Sequence, residues 1–205
     1  MIFKYSKQTG FSLVEVLVAI SLLLLVIVGP MQILTRSINS TNFATEQVNA
    51  WFLAQEGLEL AQKSRDDLVL ADFKDKILAQ SLEPDPMTKF LVDYAACFNV
   101  AVGCGLTVGN GINSPTNIVS CATADSCKLY LTTSANSDRS SYQHSSAGNS
   151  VTPYTRVITM ESSLAPSTKV REIKVTSTVT WRTGSLISSQ KVEAITYLFN
   201  VYDTD

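Results

Sequence analysis

The chain has 205 residues, of which 45% are hydrophobic and 17% are charged, a composition that excludes an intrinsically disordered chain, a collagen-like repeat and a polytopic membrane protein. Sixteen Lys and Arg residues stand against eighteen Asp and Glu residues, giving a net charge of −2, so the basic excess that nucleic-acid binding requires is missing. The length allows one globular domain, or one domain with an appendage.

The first predicted element is a membrane-spanning helix. From Phe11 to Leu34 the chain reads FSLVEVLVAISLLLLVIVGPMQIL, and about 20 apolar residues suffice for a helix to cross a hydrocarbon core. The ten residues before it contain Lys4 and Lys7 and no acid, which predicts a cytoplasmic amino terminus and an exported remainder. The residues MQILTRS offer no signal-peptidase site after the core, and the small residue Gly10 precedes the apolar run instead.

Glu15 places a carboxylate near the start of this apolar run, where a charge in lipid costs about 2.5 kcal/mol or more. One interpretation is a carboxylate near the membrane interface that snorkels or is protonated. A second follows if the chain is cut between Gly10 and Phe11. The new α-amino group would then lie one helical turn from Glu15, or be available to the Glu15 of a neighbouring subunit, and the two charges would compensate each other.

The leader with its lysines, Gly10, Phe11, Glu15 and the run FSLVEVLVAISLLLLVIV together resemble the prepilin leader and first helix of type IV pilins and type II secretion pseudopilins. The resemblance implies cleavage after Gly10 by a membrane prepilin peptidase and N-methylation of Phe11. It also implies that Glu15 pairs with the amino terminus of a neighbouring subunit during assembly. Beyond the apolar run, the stretch AQEGLELAQKSRDD and the last two predicted strands resemble minor pilins and pseudopilins.

Gly29 and Pro30 predict a kink or a local break in the helix, because Pro removes an intrahelical hydrogen bond and collides with the carbonyl group four residues before it. Beyond them, an amphipathic helix is predicted from apolar residues that recur at steps of three or four or their multiples; these are Ala44, Val48, Trp51, Leu58 and Ala61. We expect this face to pack on the head rather than to form a ligand-binding stripe. A helix from Phe11 to about Arg65 would be roughly 80 Å long, which predicts a stalk with a head.

An acidic connector follows at residues 66–88, which contain Asp66, Asp67, Asp72 and Asp75 and then an EPDP turn signal. A cation site is one interpretation of these acids. The oxygen ligands lack calcium-loop spacing, however, and Lys74 and Lys76 interrupt the cluster, so we expect a solvated face.

From Lys89 onwards, short apolar segments separated by Gly, Asn, Ser and Pro predict strands and loops. The clearest pair is a carboxyl-terminal hairpin, with a turn at residues 183–185. Its first strand alternates Ile173, Val175, Val179 and Trp181 with polar residues, and Ile195, Tyr197, Phe199 and Val201 share a face of the second. Earlier strands are predicted in LVDYAACF, CKLYLTT and YTRVITME, with a polar loop or ragged hairpin between Ser134 and Pro153.

The predicted fold class is therefore α+β, a long amino-terminal helix followed by an antiparallel sheet of four or more strands laid on it, as in a pilin-like lollipop. We expect four segments: a leader at 1–10, a transmembrane or filament-core helix at 11–35, an amphipathic helix at 36–66 and a globular β-sheet head at 67–205.

The four cysteines lie in the part predicted to be exported, and their even number predicts disulfides; they are Cys97, Cys104, Cys121 and Cys127. A structural zinc site typically has two to four residues between paired ligands, whereas six and five residues intervene here. Three pairings are open. The local loops from Cys97 to Cys104 and from Cys121 to Cys127 are the easiest to close, and the alternatives would tie the two loops together.

Catalytic chemistry is not indicated. The single histidine, His144, lies in the Ser-rich stretch SSYQHSSAGN, where a surface-loop residue is the simpler interpretation than a catalytic base. The sequence contains no GxSxG, P-loop or HExxH motif. We therefore predict no catalytic residue, metal or cofactor.

The function expected from this pattern is that of a structural minor pilin or pseudopilin, assembled into a type IV pilus or a type II secretion-like filament. Its expected partners are other pilins or pseudopilins, the prepilin peptidase and the inner-membrane assembly platform, with no direct contact to nucleic acid. Its expected location is the inner membrane with the head outside the cytoplasm, and then the filament. The alternative is a membrane-anchored extracytoplasmic adhesin or ligand-binding receptor that does not polymerise. The choice among secretion, surface pili, adhesion and DNA uptake stays open.

Overall fold

The computed structural model describes residues 10, 12–79, 85–108, 116–123, 125–132, 140–164, 170–183 and 188–200. The helices in this part are α1 (Leu13–Ala79), α2 (Pro86–Asp93) and α3 (Ala95–Phe98). The strands are β1 (Cys104–Thr107), β2 (Asn117–Ser120), β3 (Lys128–Thr132), β4 (Ser141–Gln143), β5 (Ser150–Leu164), β6 (Val170–Trp181) and β7 (Gln190–Phe199). The predicted fold class, a long amino-terminal helix followed by an antiparallel sheet, is confirmed.

All seven described strands form one sheet around β5. Ile158 of β5 pairs with Cys104 of β1 and with Ser177 of β6, so β1 and β6 lie on opposite edges of β5. β3 shares the β1 edge and pairs with β4, while β2 pairs with β1. β6 and β7 form the carboxyl-terminal hairpin that the alternating residues predicted. β3 lies within the predicted strand CKLYLTT, and β5 contains the predicted strand YTRVITME.

Helix α1 is continuous through Gly29 and Pro30 and extends to Ala79, well beyond the expected end near Arg65. The local break expected at Pro30 is absent, and a kink there stays a prediction. The chain divides into two compact units, residues 1–45 and residues 46–205, and α1 contributes to both.

The core of the second unit lies between α1, α2 and the inner face of the sheet. The α1 residues buried there recur at helical steps and are mostly small: Ala50, Leu53, Ala54, Gly57, Leu60, Ala61 and Ser64. The predicted buried face was wrong in part, since Ala44, Val48 and Trp51 are exposed, whereas Leu58 is partly buried and Ala61 fully buried. Small side chains allow the helix backbone to approach a sheet closely, so they, rather than the bulkiest residues, mark the face that packs.

The segment LVDYAACF was predicted as a strand and is helical, belonging to α2 and α3. Asp85 caps α2 by accepting the backbone N–H of Thr88 at 3.2 Å, with Pro86 at the first helical position. Phe90, Tyr94 and Cys97 are buried at steps of four and three residues, which is the helical period. The run LVDYAACF is too short for the spacing of its apolar residues to distinguish a helix from a strand. The helix start signal just before it, Asp85 and Pro86, is what indicates a helix.

The second strand of the hairpin also differs from expectation in which face it buries. Ile195, Tyr197 and Phe199 share a face as predicted, but they are 52%, 48% and 54% exposed. Val192, Ala194 and Leu198, on the other face, contribute to the core. Residue 201 lies outside the described residues.

Candidate functional site: the amino-terminal helix

The candidate site begins where the predicted leader precedes α1. Gly10 is exposed, and a Cβ atom placed on it would have nothing within 4 Å. The carbonyl of Ser12 accepts the backbone N–H groups of Glu15 at 3.0 Å and Val16 at 3.2 Å, so the helix starts directly after the predicted cleavage point. Phe11 lies outside the described residues. No described residue lies close enough to position 10 to require glycine there.

Glu15 lies in the first turn of α1, where the helix dipole stabilises a carboxylate by about 0.3–1 kcal/mol. That contribution is smaller than the cost of about 2.5 kcal/mol or more for a charge in lipid. No ion pair among the described residues includes Glu15. A partner that compensates this charge must therefore come from outside the described part of the chain.

The amino-terminal part of α1 presents apolar side chains in every direction. All side chains from Ser12 to Asn42 are exposed, and among the described helices α1 alone is long and apolar enough to span a membrane, judged by length and composition. The hydroxyl groups of Ser21 and Thr35 donate to the carbonyls of Val18 at 2.8 Å and Met31 at 3.0 Å. Polar side chains of this segment can therefore satisfy their donors within the helix, as an apolar environment requires.

Arg156 of β5 fastens the second half of α1 to the head. Its side chain is fully buried. Nη1 donates to the carbonyl of Leu53 at 3.1 Å and to Oε2 of Glu56 at 2.8 Å, and Nη2 donates to the carbonyl of Leu106 at 2.8 Å. Burial lowers the pKa of Arg156, and the carboxylate of Glu56 opposes that effect. One guanidinium thus joins α1, β5 and β1, a fork geometry that lysine cannot reproduce.

Gly57 makes this attachment possible. A Cβ atom on Gly57 would overlap Oγ of Ser177 and lie 3.1 Å from Cδ of Arg156. The helix backbone therefore rests directly on β5 and β6, with no room for a side chain between them.

A second attachment lies at the start of the same unit. The hydroxyl of Thr183 donates to Oε2 of Glu46 at 2.5 Å, and the hydroxyl of Tyr154 donates to the backbone carbonyl of Glu46 at 3.4 Å. Burial raises the pKa of Tyr154, so the phenol remains a donor at neutral pH. The sheet holds α1 at Glu46 as well as at Leu53–Gly57.

His144 does not lie free in a surface loop, as was expected, because its ring packs on Gly105. A Cβ atom on Gly105 would come within 2.5 Å of Nε2, and Nδ1 lies 3.2 Å from the carbonyl of Lys128. Burial, and then the charge of Arg156, lower the pKa of His144 to about 4. The ring is therefore neutral at neutral pH and donates from Nδ1, and Gly105 is the small residue that makes room for it.

The cysteines form the two local disulfides, Cys97–Cys104 and Cys121–Cys127. The first joins α3 to β1 inside the core, where both residues are fully buried. The structure thus selects one of the three pairings that the sequence left open.

The described acids of the connector behave as a charged helix surface. Asp67 pairs with Lys63 at 2.5 Å, and Asp66 pairs with Arg65 at 2.6 Å. Within the described residues, no group of three or more His, Cys, Asp or Glu side chains could hold a metal ion. The side chain of Asp75 lies outside the described part of the chain.

Arg156 and Gly57 were not recognised from the sequence, although both left a signal. Arg156 occupies the buried phase of an alternating strand, between Tyr154 and Ile158, where a cation requires a specific partner. Gly57 interrupts a good helix-forming stretch, and a glycine there usually has a packing reason.

Comparison with known families agrees with the geometry at the amino terminus. Residues 5–29 match the family model of the prokaryotic N-terminal methylation motif. The match spans Gly10, Phe11, Glu15 and most of the apolar run. No curated protein and no solved structure matches the chain.

Proposed function

We propose that this protein, which its methylation motif indicates to be a prepilin peptidase substrate of the type IV pilin and pseudopilin family, is a structural minor subunit of a filament. The filament is a type IV pilus or a type II secretion-like pseudopilus. The observation that carries the proposal is the combination of the motif with an α1 whose residues 12–42 are exposed on all sides. Such a surface requires lipid before assembly and other subunits after it.

The first step of the mechanism is processing. The peptidase cuts after Gly10, and the new terminus at Phe11 is methylated. A Cβ atom at position 10 would contact nothing within 4 Å. We assign residues 1–10 to the leader, 11–35 to the membrane and filament-core helix, 36–66 to the amphipathic helix and 67–205 to the head. The head is exported and the leader stays in the cytoplasm, as Lys4 and Lys7 favour.

The second step is transfer of α1 from lipid into the filament. Lipid chains are as apolar as the side chains of leucine, so moving the helix from lipid to a bundle yields little hydrophobic free energy. The free energy of Glu15 does change, because its charge costs about 2.5 kcal/mol or more in lipid and is compensated when the amino group of a neighbouring Phe11 lies beside it. Glu15 thereby favours the assembled state and selects the register in which the two groups meet.

The partners in this scheme are other pilins or pseudopilins, the prepilin peptidase and the inner-membrane assembly platform. The chain contributes surfaces and no catalysis. Its buried polar contacts at Glu46 and Arg156 serve to keep the head fixed on α1.

The experiment that tests processing is mass spectrometry of the protein from native membranes and from sheared filaments. We expect a mature chain that begins at methylated Phe11, in both fractions. Replacement of Gly10 by leucine should block cleavage, since the fold tolerates a side chain there and the peptidase does not. A chain that retains its first ten residues while the peptidase is active would contradict the proposal. A correctly cleaved chain found in membranes and never in filaments would favour the adhesin or receptor instead.

The role of Glu15 is tested by comparing Glu15→Val with Glu59→Val, a matched loss of an exposed acid farther along α1. Glu15→Val should insert and be cleaved normally, yet its filament fraction should fall about tenfold or more, given a charge term of about 2.5 kcal/mol. Glu59→Val should assemble like the wild type. Equal incorporation of both variants would show that Glu15 does not set the register.

A further inference from the structure

One edge of the sheet, along β7, presents backbone groups that no described strand pairs with. β7 pairs with β6 over ten residues without a register shift, and no described strand pairs with its other edge. The backbone N–H of Asn200 donates to the carbonyl of Arg171 at 2.9 Å. Because the two sides of an antiparallel strand alternate, the even-numbered residues of β7 bond to β6. The N–H and C=O groups of the odd-numbered residues therefore point away from the sheet.

These outward backbone groups belong to the same residues whose side chains are exposed on the outer face: Lys191, Glu193, Ile195, Tyr197 and Phe199. Near one end, Nη1 of Arg65 donates to the carbonyl of Phe199 at 3.0 Å. The strand from Lys191 to Tyr197 has no such cover among the described residues.

Of the devices that protect edge strands, β7 has charged side chains at Lys191 and Glu193 but lacks short length, proline, bulges and inward-pointing charges. The other outer strands, β2 and β4, have four and three residues, whereas β7 has ten and contains no proline. The charges of Lys191 and Glu193 pair with each other at 2.9 Å. The apolar stretch that follows them is open for pairing.

The outer face beside this edge favours a partner without net charge. Glu161 pairs with Lys174 at 3.2 Å across β5 and β6, and Lys191 pairs with Glu193 along β7. The exception is Glu172, which lies opposite Phe199, at the end of β7 where Arg65 contacts the backbone. The residues opposite Ile195 and Glu193 on β6 are Thr176 and Thr178. A partner that lies against this face meets apolar and hydroxyl-bearing side chains and gains nothing from a net charge.

A second copy of the chain does not fit the edge. Two β7 strands that pair antiparallel within one sheet are related by a twofold axis normal to the sheet. Such an axis reverses the direction of α1 residues 50–68, which pack on the sheet face, whereas the subunits of the proposed filament, related by rotation and translation along one axis, all run the same way. This step rests on the filament proposed above. Pairing of β7 with β2 or β4 of another copy would use at most four residues.

We propose that the free edge of β7 is a docking site for an extended segment of a different polypeptide that carries no net charge and adds to the sheet as a further strand. Backbone hydrogen bonds to the odd-numbered residues give the affinity, and apolar side chains beside Ile195, Tyr197 and Phe199 give the preference. A single added strand buries less than a standard interface of about 1,600 Å², so the complex is transient unless other contacts support it.

The probe is a capped, fluorescent peptide of residues 172–181, EIKVTSTVTW, because this segment of β6 already pairs with β7 inside the molecule. It is added to the full-length chain in detergent micelles. We expect saturable binding in the high-micromolar range, with slower amide hydrogen exchange at Lys191, Glu193, Ile195 and Tyr197. The same peptide with Pro in place of Thr176 and Thr178 should not bind.

Two variants and one control localise the binding. Tyr197→Pro removes an outward N–H and no bond to β6, so the hairpin tolerates it, and Ile195→Lys places a charge on the edge. Both should weaken peptide binding about tenfold or more. Thr178→Lys places the same charge on the same face, one strand inside the sheet, and should change the affinity less than about twofold.

The proposal is overturned if the wild-type chain does not bind the peptide, if binding protects amides outside β7, or if the edge variants bind as well as Thr178→Lys. Sedimentation that shows a wild-type dimer abolished by Tyr197→Pro would make a second copy the occupant and also overturn it. None of these readouts depends on cleavage at Gly10 or on filament formation, so failure of the docking site and failure of the filament proposal are separable.

Discussion

Replacement of Gly57 by alanine tests whether α1 rests directly on the sheet. In an ordinary helix interior this change stabilises by about 1 kcal/mol, because alanine has the higher helix propensity. Here the new Cβ atom would overlap Oγ of Ser177 and lie 3.1 Å from Cδ of Arg156 and 3.2 Å from Cβ of Ser177. Overpacking of this kind costs about 1–3 kcal/mol, and Arg156 cannot move away without losing its three acceptors. We expect the sign to reverse, to a net loss of about 1–2 kcal/mol.

The assay is denaturant unfolding of the full-length chain in mild detergent, followed by tryptophan fluorescence, for Gly57→Ala, Ser177→Ala and the double variant. Oγ of Ser177 is buried without a hydrogen-bond partner among the described residues, so Ser177→Ala alone should change little. In the double variant it should recover about 1 kcal/mol of the loss. Gly29→Ala is the matched control, because a Cβ atom there meets nothing within 4 Å. If Gly57→Ala is as stable as the wild type, or if Ser177→Ala recovers nothing, the close approach of helix and sheet is refuted.

Three further predictions concern the head. Non-reducing peptide mapping of protein from the cell envelope should recover Cys97 linked to Cys104 and Cys121 linked to Cys127; four free thiols or one bound zinc would contradict this. The folded-state pKa of His144 is about 4 against an ordinary 6.5, so the unfolded chain takes up the proton first as the pH falls. The contribution of neutral His144 to the free energy of unfolding is present above pH 6.5 and is lost on acidification towards pH 4, by about 1–3 kcal/mol. Denaturation of His144→Gln at pH 7 and 4.5 should therefore show a smaller loss of stability than the wild type. Equal pH dependence of the two proteins would contradict the lowered pKa. Arg156→Lys should lower the unfolding free energy by about 2–4 kcal/mol, because an ammonium group cannot serve the acceptors on Leu53, Glu56 and Leu106 together; an unchanged denaturation midpoint would argue against the clamp.

Much of the amino-terminal half could be read from the sequence because its signals are local. Gly10, Glu15 and the apolar run lie within one short stretch of sequence, and an apolar helix needs no distant contact to be recognised. The carboxyl-terminal hairpin was predictable for the same reason, since alternation over neighbouring residues defines a strand. The local disulfides were the easiest of three pairings to close, although the sequence did not exclude the other two.

Tertiary structure alone decided which side of each element is covered. Trp51 is exposed while Ala50, Ala54 and Gly57 face the sheet, because the space between helix and sheet is set by strands a hundred residues away. His144 packs on Gly105 and bonds to the carbonyl of Lys128. Leu198 lies opposite the buried Ile173 and faces the core, so its neighbour Tyr197 points to the exposed face of the strand. Periodicity within a segment identifies a helix or a strand, but burial is a property of pairs of segments. The sequence therefore determined the apolar helix, the methylation motif and the fold class, whereas the attachment of α1 at Arg156 and the open edge of β7 depend on contacts between residues that are distant along the chain.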